Sequence, residues 1–470
     1  MTLARRRAAA RFAASALATG LFTAGALTAA GSAAADENPQ TPHDGGALAT
    51  LGGLDIGAEV EYVSGGHHDR ITGGLFTMNV QDGGTIQTYC IDFHTSTARN
   101  AHYKETGWES STLADNPDAG KIQWILQNSF PVVSDLDQLA EESGAGHLTE
   151  DTAAAATQAA IWQLSDGIEA HPTDADGAKL TDWLLDNAQD IEEPSPSLTL
   201  SPNAVSGQPG QTVGPVTVHT TADSVTVVPD AAAAEQGVTL VDANGNLINE
   251  DTPVADGTEL YFDVPADAAD GTASLTATAS SSVPVGRAFT GVDQRTQTMI
   301  LAGSSEVSVS STATATWAGQ GQPSVAVDAQ EVCAEGGVKV TATNNGDVPY
   351  TFELNGESTE VAPGASESIL VPVEQGQEYD ITVDNAVEGA EPFHFTGVLD
   401  CGADTGTPTP IDNQPSTDTT GGSGDDTDLA ETGSSSNLPV ITGIAVALLV
   451  VGGAGVFFVR RRSVNAGSNE

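Results

Sequence analysis

Thr157-Gln158-Ala159-Ala160-Ile161-Trp162 lies inside a stretch, Thr149 to Leu164, whose residue pattern predicts a helix. Thr149 stands as an N-cap, and Glu150 and Asp151 follow in the first turn, where acids suit the positive end of the helix dipole. Ala153 to Ala156 favour helix, and Gly167 is a plausible stop. On this helix Gln158, Ile161, Trp162 and Ser165 share one face by i, i+3, i+4, i+7 spacing, which puts Gln158 on the expected buried stripe.

A second stretch gives that glutamine a partner. Thr85 to Phe93 reads as a strand, with Tyr89, Ile91 and Phe93 on one face and Cys90 on the other. A strand cysteine and a helix glutamine meet if the helix packs on the sheet. The pair of residue types allows one particular reaction. A thiol sulfur that displaces ammonia from a carboxamide leaves an internal thioester, far more reactive toward amines than an amide. The sulfur must be activated by a neighbouring base or dipole, for which Asp92, His94 and His102 are the candidates. Water must then be kept away, and Tyr89, Phe93 and Trp162 are the available apolar cover. The plainer alternative is a buried glutamine hydrogen-bonded to backbone.

The chain has three cysteines. Cys333 and Cys401 bracket a run of about eighty residues and are expected to pair, closing a long loop. Cys90 is left over, and an unpaired thiol in an exported chain needs an explanation; it can also be a small buried hydrophobe.

Both ends of the chain predict export. Arg5, Arg6, Arg7 and Arg11 precede a weakly apolar run from about Phe12 to Ala30, closed by Ala33-Ala34-Ala35. These are the parts of a secretory signal peptide over residues 1–35. At the other end an uncharged apolar run, Leu438 to Val459, is long enough to cross a bilayer, and Arg460, Arg461 and Arg462 follow as a cytoplasmic basic tail. The formal net charge is −49, with 64 Asp and Glu against 15 Lys and Arg, which excludes nucleic acid as a natural partner. The acids are spread out, as in a solvated, self-repelling surface. Only four lysines exist, Lys104, Lys121, Lys179 and Lys339, so the chain offers few amines to its own copies.

Composition divides the middle. Residues 36–50 read as a polar arm and residues 51–193 hold the cysteine and glutamine motifs. Pro194 and Pro196 mark a linker. Alternating β-branched runs over 196–322 predict a β-sandwich, and residues 324–402 predict a smaller one. Residues 403–428 are a Thr/Asp/Gly/Ser tether with little to bury. On this reading the two β-domains are stalk spacers. The middle one lacks lysine, so a Lys–Asn isopeptide bond is impossible there.

Thr157-Gln158-Ala159-Ala160-Ile161-Trp162 resembles the TQxAIW motif of Gram-positive surface thioester domains. Tyr89-Cys90-Ile91-Asp92 resembles the upstream cysteine motif of that family, and Asp118 to Leu126 resembles the helix between the two. The resemblance covers about residues 51 to 193. It implies an α+β thioester domain, built of a sheet or barrel plus a helical subdomain; with the patterns above, the expected chain is multidomain, this domain followed by two Ig-like β-sandwich stalk domains and one transmembrane helix. The resemblance implies that Cys90 carries the sulfur and Gln158 the acyl group, with Thr157, Ala160, Trp162, Tyr89 and Asp92 in support. Leu429-Ala430-Glu431-Thr432-Gly433, followed by the apolar run and basic tail, resembles a sortase sorting signal in its actinobacterial LAxTG form. That implies cleavage between Thr432 and Gly433 and transfer of Thr432 to peptidoglycan, so that the membrane is met only before processing.

The expected protein is therefore a cell-wall-anchored, adhesin-like binder that captures an amine or hydroxyl on a target once, without turnover, cofactor or metal. Two other readings stay open: a cysteine peptidase or transpeptidase pairing Cys90 with His94 or His102, and a non-reactive wall spacer. His67-His68-Asp69 is a poor metal site, since adjacent histidines rarely face one ion.

Overall fold

The structure, a computed structural model, describes residues 45–64, 66–387 and 390–401. The expected signal peptide, most of the arm, the tether, the sortase motif, the apolar span and the basic tail lie outside the described residues. Among the described residues no helix is long and apolar enough to cross a membrane.

The first domain begins with two long strands, β1 (Leu48–Ser64) and β2 (His67–Val80), followed by β3 (Thr85–Cys90) and β4 (His102–Thr106). Four helices follow: α1 (Ala119–Gln127), α2 (Leu136–Ser143), α3 (Glu150–Ser165) and α4 (Ala175–Asn187), with β5 (Ala170–Pro172) before the last. The α3 helix starts as its sequence predicts. The Thr149 side chain accepts from the Thr152 amide, and Gly167 sits at φ +66° beyond the end. Residues Ala153 to Trp162 are buried all round, wider than the one-face stripe expected, because the helix is packed between the strands and α1 and α4.

The middle of the chain departs from the expected order. Strands β6 (Leu198–Ser201), β8 (Thr212–Thr220), β10 (Thr239–Asp242), β11 (Leu247–Ile248) and β12 (Glu259–Asp263) form one sheet. Strands β7 (Ala204–Gly207), β9 (Thr226–Pro229), β13 (Gly271–Ser281) and β16 (Val307–Trp317) form another. The alternating residues Val216, Leu240, Phe262, Leu275, Val309 and Ala315 of the two sheets share one core. Between β13 and β16, however, the chain leaves this domain. β14 (Ala288–Gly291) and β15 (Met299–Ser304) pair with β4 and β3 of the first.

The result is a closed barrel. β1 pairs with β2 and β4, β4 with β14, β14 with β15, β15 with β3, and β3 with β2. The register of β13 against β16 (Ser281 opposite Val307) continues into β14 against β15 (Ala288 opposite Ile300). Residues 271–317 are thus one long hairpin, a finger rooted in the middle domain whose tip completes the barrel. Closure satisfies edges that β3 and β4 would otherwise leave open. The two domains are interleaved, not consecutive as the boundaries 51–193 and 196–322 implied.

The third domain holds β17 (Val325–Val332), β18 (Gly337–Asn344) and β21 (Ala365–Pro372) in one sheet. Two hairpins accompany it, β19 (Tyr350–Leu354) with β20 (Glu357–Val361), and β22 (Glu378–Val383) with β23 (Phe393–Val398). Cys333 and Cys401 are joined by a disulfide across a separation of 68 residues, as the cysteine count predicts. This domain is packed against the others and does not stand off as a spacer. The Lys104 ammonium on β4 meets the Glu331 carboxylate on β17 at 2.9 Å, with both side chains buried. The Tyr379 hydroxyl donates to Glu331 at 2.6 Å, and the Ser110 hydroxyl donates to the Glu331 carbonyl at 2.7 Å. A buried charge tolerates this position only because it is paired and hydrogen-bonded.

Candidate functional site

Cys90 is the last residue of β3 and is fully buried, on the side of the barrel covered by α3. The strand stops there because Asp92 turns the chain: its Oδ1 accepts from the amides of His94 and Thr95 at 3.2 Å. The turn moves Phe93 to the same core as Cys90, instead of the Tyr89 face that strict alternation predicts. Phe93 then meets Trp162 edge to face, with ring centroids 5.1 Å apart. Gly73 lets the indole in, since a Cβ there would lie 3.1 Å from the Trp162 ring.

Gln158 reaches Cys90 as expected, but its carboxamide is committed to the main chain. Its Oε1 accepts from the Cys90 amide at 3.0 Å and its Nε2 donates to the Cys90 carbonyl at 2.8 Å. Both ends of one side-chain amide thus pair with both polar groups of one residue, at zero exposure. The sulfur faces elsewhere. Cys90 Sγ donates to Gln297 Oε1 at 2.7 Å and touches Met299 Sδ at 3.6 Å. With a C=O bond of about 1.2 Å, the Gln297 carbonyl carbon lies within about 4 Å of the sulfur. The carboxamide of Gln158, expected to be the acyl group, is thus bonded to the Cys90 main chain, while the sulfur meets a second buried glutamine, Gln297.

Gln297 comes from the tip of the finger. Met299 is in register with Cys90, and the Ile91 amide donates to the Thr298 carbonyl at 3.0 Å. Gln297 Nε2 donates to the Asp92 carbonyl at 2.5 Å, which turns its oxygen toward the thiol. The Tyr103 hydroxyl donates to the Gln297 carbonyl at 3.0 Å and pairs with Thr296 Oγ1 at 2.8 Å.

The supporting residues fall in two shells around this centre. The Tyr89 hydroxyl donates to the Phe130 carbonyl at 2.8 Å, and the Thr157 hydroxyl donates to the Ala153 carbonyl at 2.9 Å. Ala160 is fully buried on α3, in the core shared with Tyr89 and Ile91. His102 is exposed and faces Asp293 at 2.8 Å, which removes it from the sulfur. His94 stacks edge-on against Phe93 at 5.6 Å, and among the described residues neither its buried Nδ1 nor Asp92 Oδ2 has a hydrogen-bond partner.

Burial pushes the Cys90 thiol well above its ordinary range, and the charges of Asp92 and Asp166 push it further. Asp166 was not anticipated. It caps α3 at its C-terminus, its Oδ1 accepts from the Phe93 amide at 3.0 Å, and burial lifts its carboxyl to about 7. Asp92 is lifted too, again by burial. The centre thus holds a neutral thiol between two carboxamides and two reluctant acids. Among the described residues no cluster of three potential metal ligands occurs.

Residues 87–190 match the thioester domain family. Among solved structures, similarity extends to the Bacillus anthracis TIE protein, at 13% identity over 76% of this chain and 81% of that one, with a TM-score of 0.26. The thioester domain of the Enterococcus faecium TIE86 protein matches at 20% identity over 60% of this chain and 98% of that one, with a TM-score of 0.26. The thioester domain of the Staphylococcus aureus TIE protein matches at 14% identity over 57% and 99%, with a TM-score of 0.23. No curated protein matches. The matched segment includes Cys90 and Gln158 and ends well before Gln297.

Proposed function

We propose that this chain is a surface-displayed covalent binder whose electrophile is a thioester between Cys90 Sγ and the Gln297 carbonyl carbon. The observation that carries it is the 2.7 Å approach of Gln297 Oε1 to the thiol, while both amide atoms of Gln158 are spent on the Cys90 main chain. In forming the bond, the sulfur attacks the Gln297 carbonyl carbon, the C–N bond breaks, and ammonia leaves carrying the thiol proton. A thiol held this far up its titration range does not ionise beforehand, so the proton must move with the attack. Asp92 is the group we assign to carry it, since its Oδ2 is buried in the turn that follows Cys90 and has no hydrogen-bond partner among the described residues.

Capture reverses the roles. An amine on the target attacks the same carbon, an amide forms, and Cys90 leaves as a free thiol. Each molecule acts once, so no turnover is expected. Gln158 fixes the Cys90 backbone, while Phe93 and Trp162 exclude water. The signal peptide, the Leu429–Gly433 motif and the basic tail support export and sortase attachment through Thr432, leaving the reactive domain on the cell surface.

The test is the intact mass of the purified chain. A deficit of one ammonia is expected in wild type and its absence in Cys90→Ala and Gln297→Ala. Methylamine should label Gln297; label on Gln158 would restore the assignment drawn from the motif. A wild-type mass equal to that of the free thiol and amide would leave only the non-reactive spacer or a peptidase.

A further inference from the structure

The finger tip that carries Gln297 is held from outside the barrel. The Thr296 amide donates to Asp400 Oδ2 at 3.3 Å, and Asp400 is 2% exposed. Arg295, one residue earlier, lies against Gly376, where an added Cβ would come within 2.6 Å of its Cδ. Asp400 and Gly376 both belong to the third domain. Gln375 braces the acid, its Nε2 donating to Asp400 Oδ1 at 3.4 Å while its Oε1 accepts from the Cys401 amide at 2.9 Å. Cys401 is tied in turn to Cys333.

Resting on the thioester reading above, we propose that Asp400 is a positioning residue for Gln297, so that the third domain completes the reactive site. Tyr103 holds the carbonyl of Gln297 from the barrel side, and Asp400 holds the amide of the residue before it from the other. These two points hold the main chain at Gln297, and the bond from its Nε2 to the Asp92 carbonyl directs the side chain to Cys90. The disulfide anchors Asp400 at the end of its domain, where a chain leaving β23 would otherwise fray. A bond-forming geometry needs this kind of restraint, since small misplacements cost large factors in rate.

The experiment compares full chains by two readouts: the fraction carrying the ammonia deficit, and the initial rate of methylamine incorporation per deficit-bearing chain. Asp400→Ala and the double variant Cys333→Ser/Cys401→Ser should lower the fraction, with formation slowed on the order of tenfold. Asp400→Asn keeps an acceptor oxygen and should retain the wild-type fraction, whereas Asp400→Glu, one methylene longer, should not. If Asp400→Ala does not fold, the Asn and Glu pair still decides. Tyr379→Phe breaks a different bond of the same domain and should lower the melting temperature without changing the fraction. Wild-type fractions in the Ala and Glu variants, or an equal loss in Tyr379→Phe, would overturn the proposal. Absence of any deficit in wild type would instead refute the thioester itself.

Discussion

Gln297 Oε1 lies 2.7 Å from Cys90 Sγ, although 207 residues separate the two in sequence. The closeness is a product of topology. β13 and β16 form the base of a hairpin in the middle domain, and β14 and β15 carry its tip into the barrel beside β3. The contact between Cys90 and Gln297 exists only when both domains have folded.

Removing Gln158 should loosen the cysteine without removing the acyl group. Gln158→Ala leaves the buried amide and carbonyl of Cys90 unpaired, at about 1–3 kcal/mol each. A lowered melting temperature and a reduced but measurable ammonia deficit are expected by calorimetry and intact mass. Gln297→Glu should abolish the deficit, since a carboxyl group is a poor acyl donor to a thiol, and should lower the melting temperature, since the bond to the buried Asp92 carbonyl is lost.

Much of this was legible in the sequence. The N-cap at Thr149, the helix through Trp162, the strand from Thr85 that carries Cys90, and the Cys333–Cys401 pairing each rest on local pattern or on counting, although that strand stops at Cys90 and does not run on to Phe93 as expected. Gln297 was not legible for a physical reason. Asp293-Gln294-Arg295-Thr296-Gln297-Thr298 is polar and without period, so it reads as a loop between strands. Its importance comes from a long hairpin that no local pattern reports. Asp166 was missed for a related reason. A helix-terminal acid is ordinary in sequence, and only its contact with the Phe93 amide reveals the site.

The ion pair between Lys104 and Glu331 gives a second prediction. Lys104→Met leaves the Glu331 carboxylate buried without its countercharge and should cost about 3–5 kcal/mol. Adding Glu331→Leu should recover most of that loss, because both charges are then gone. Chemical denaturation of the two variants checks this; a double variant no more stable than the single would contradict it.

Stability should fall as pH rises from about 4 to 7. Burial raises the carboxyls of Asp166 and Asp400 to about 7, so the folded chain binds more protons than the unfolded one across that window. The contribution is fully present below the unfolded value near 4 and is lost as pH approaches 7. Asp176, lowered to about 2 by Lys179, acts outside this window. Melting temperatures from pH 4.5 to 7.5 should decline in wild type, and the slope should flatten in Asp166→Asn.

Trp162 seals the centre against Phe93. Trp162→Ala should destabilise by about 3–5 kcal/mol and, in molecules that remain folded, shorten the life of the thioester by admitting water. Loss of the ammonia deficit over time, followed by mass spectrometry, measures that lifetime; an unchanged lifetime would remove the indole from the water barrier.

The most direct measurement is the site of methylamine attachment in the wild-type chain, read by peptide mass mapping after digestion. The label is predicted on Gln297, with one free thiol appearing at Cys90 for each methylamine added. Label on Gln158, or no label and a free Cys90 thiol from the outset, would contradict the account.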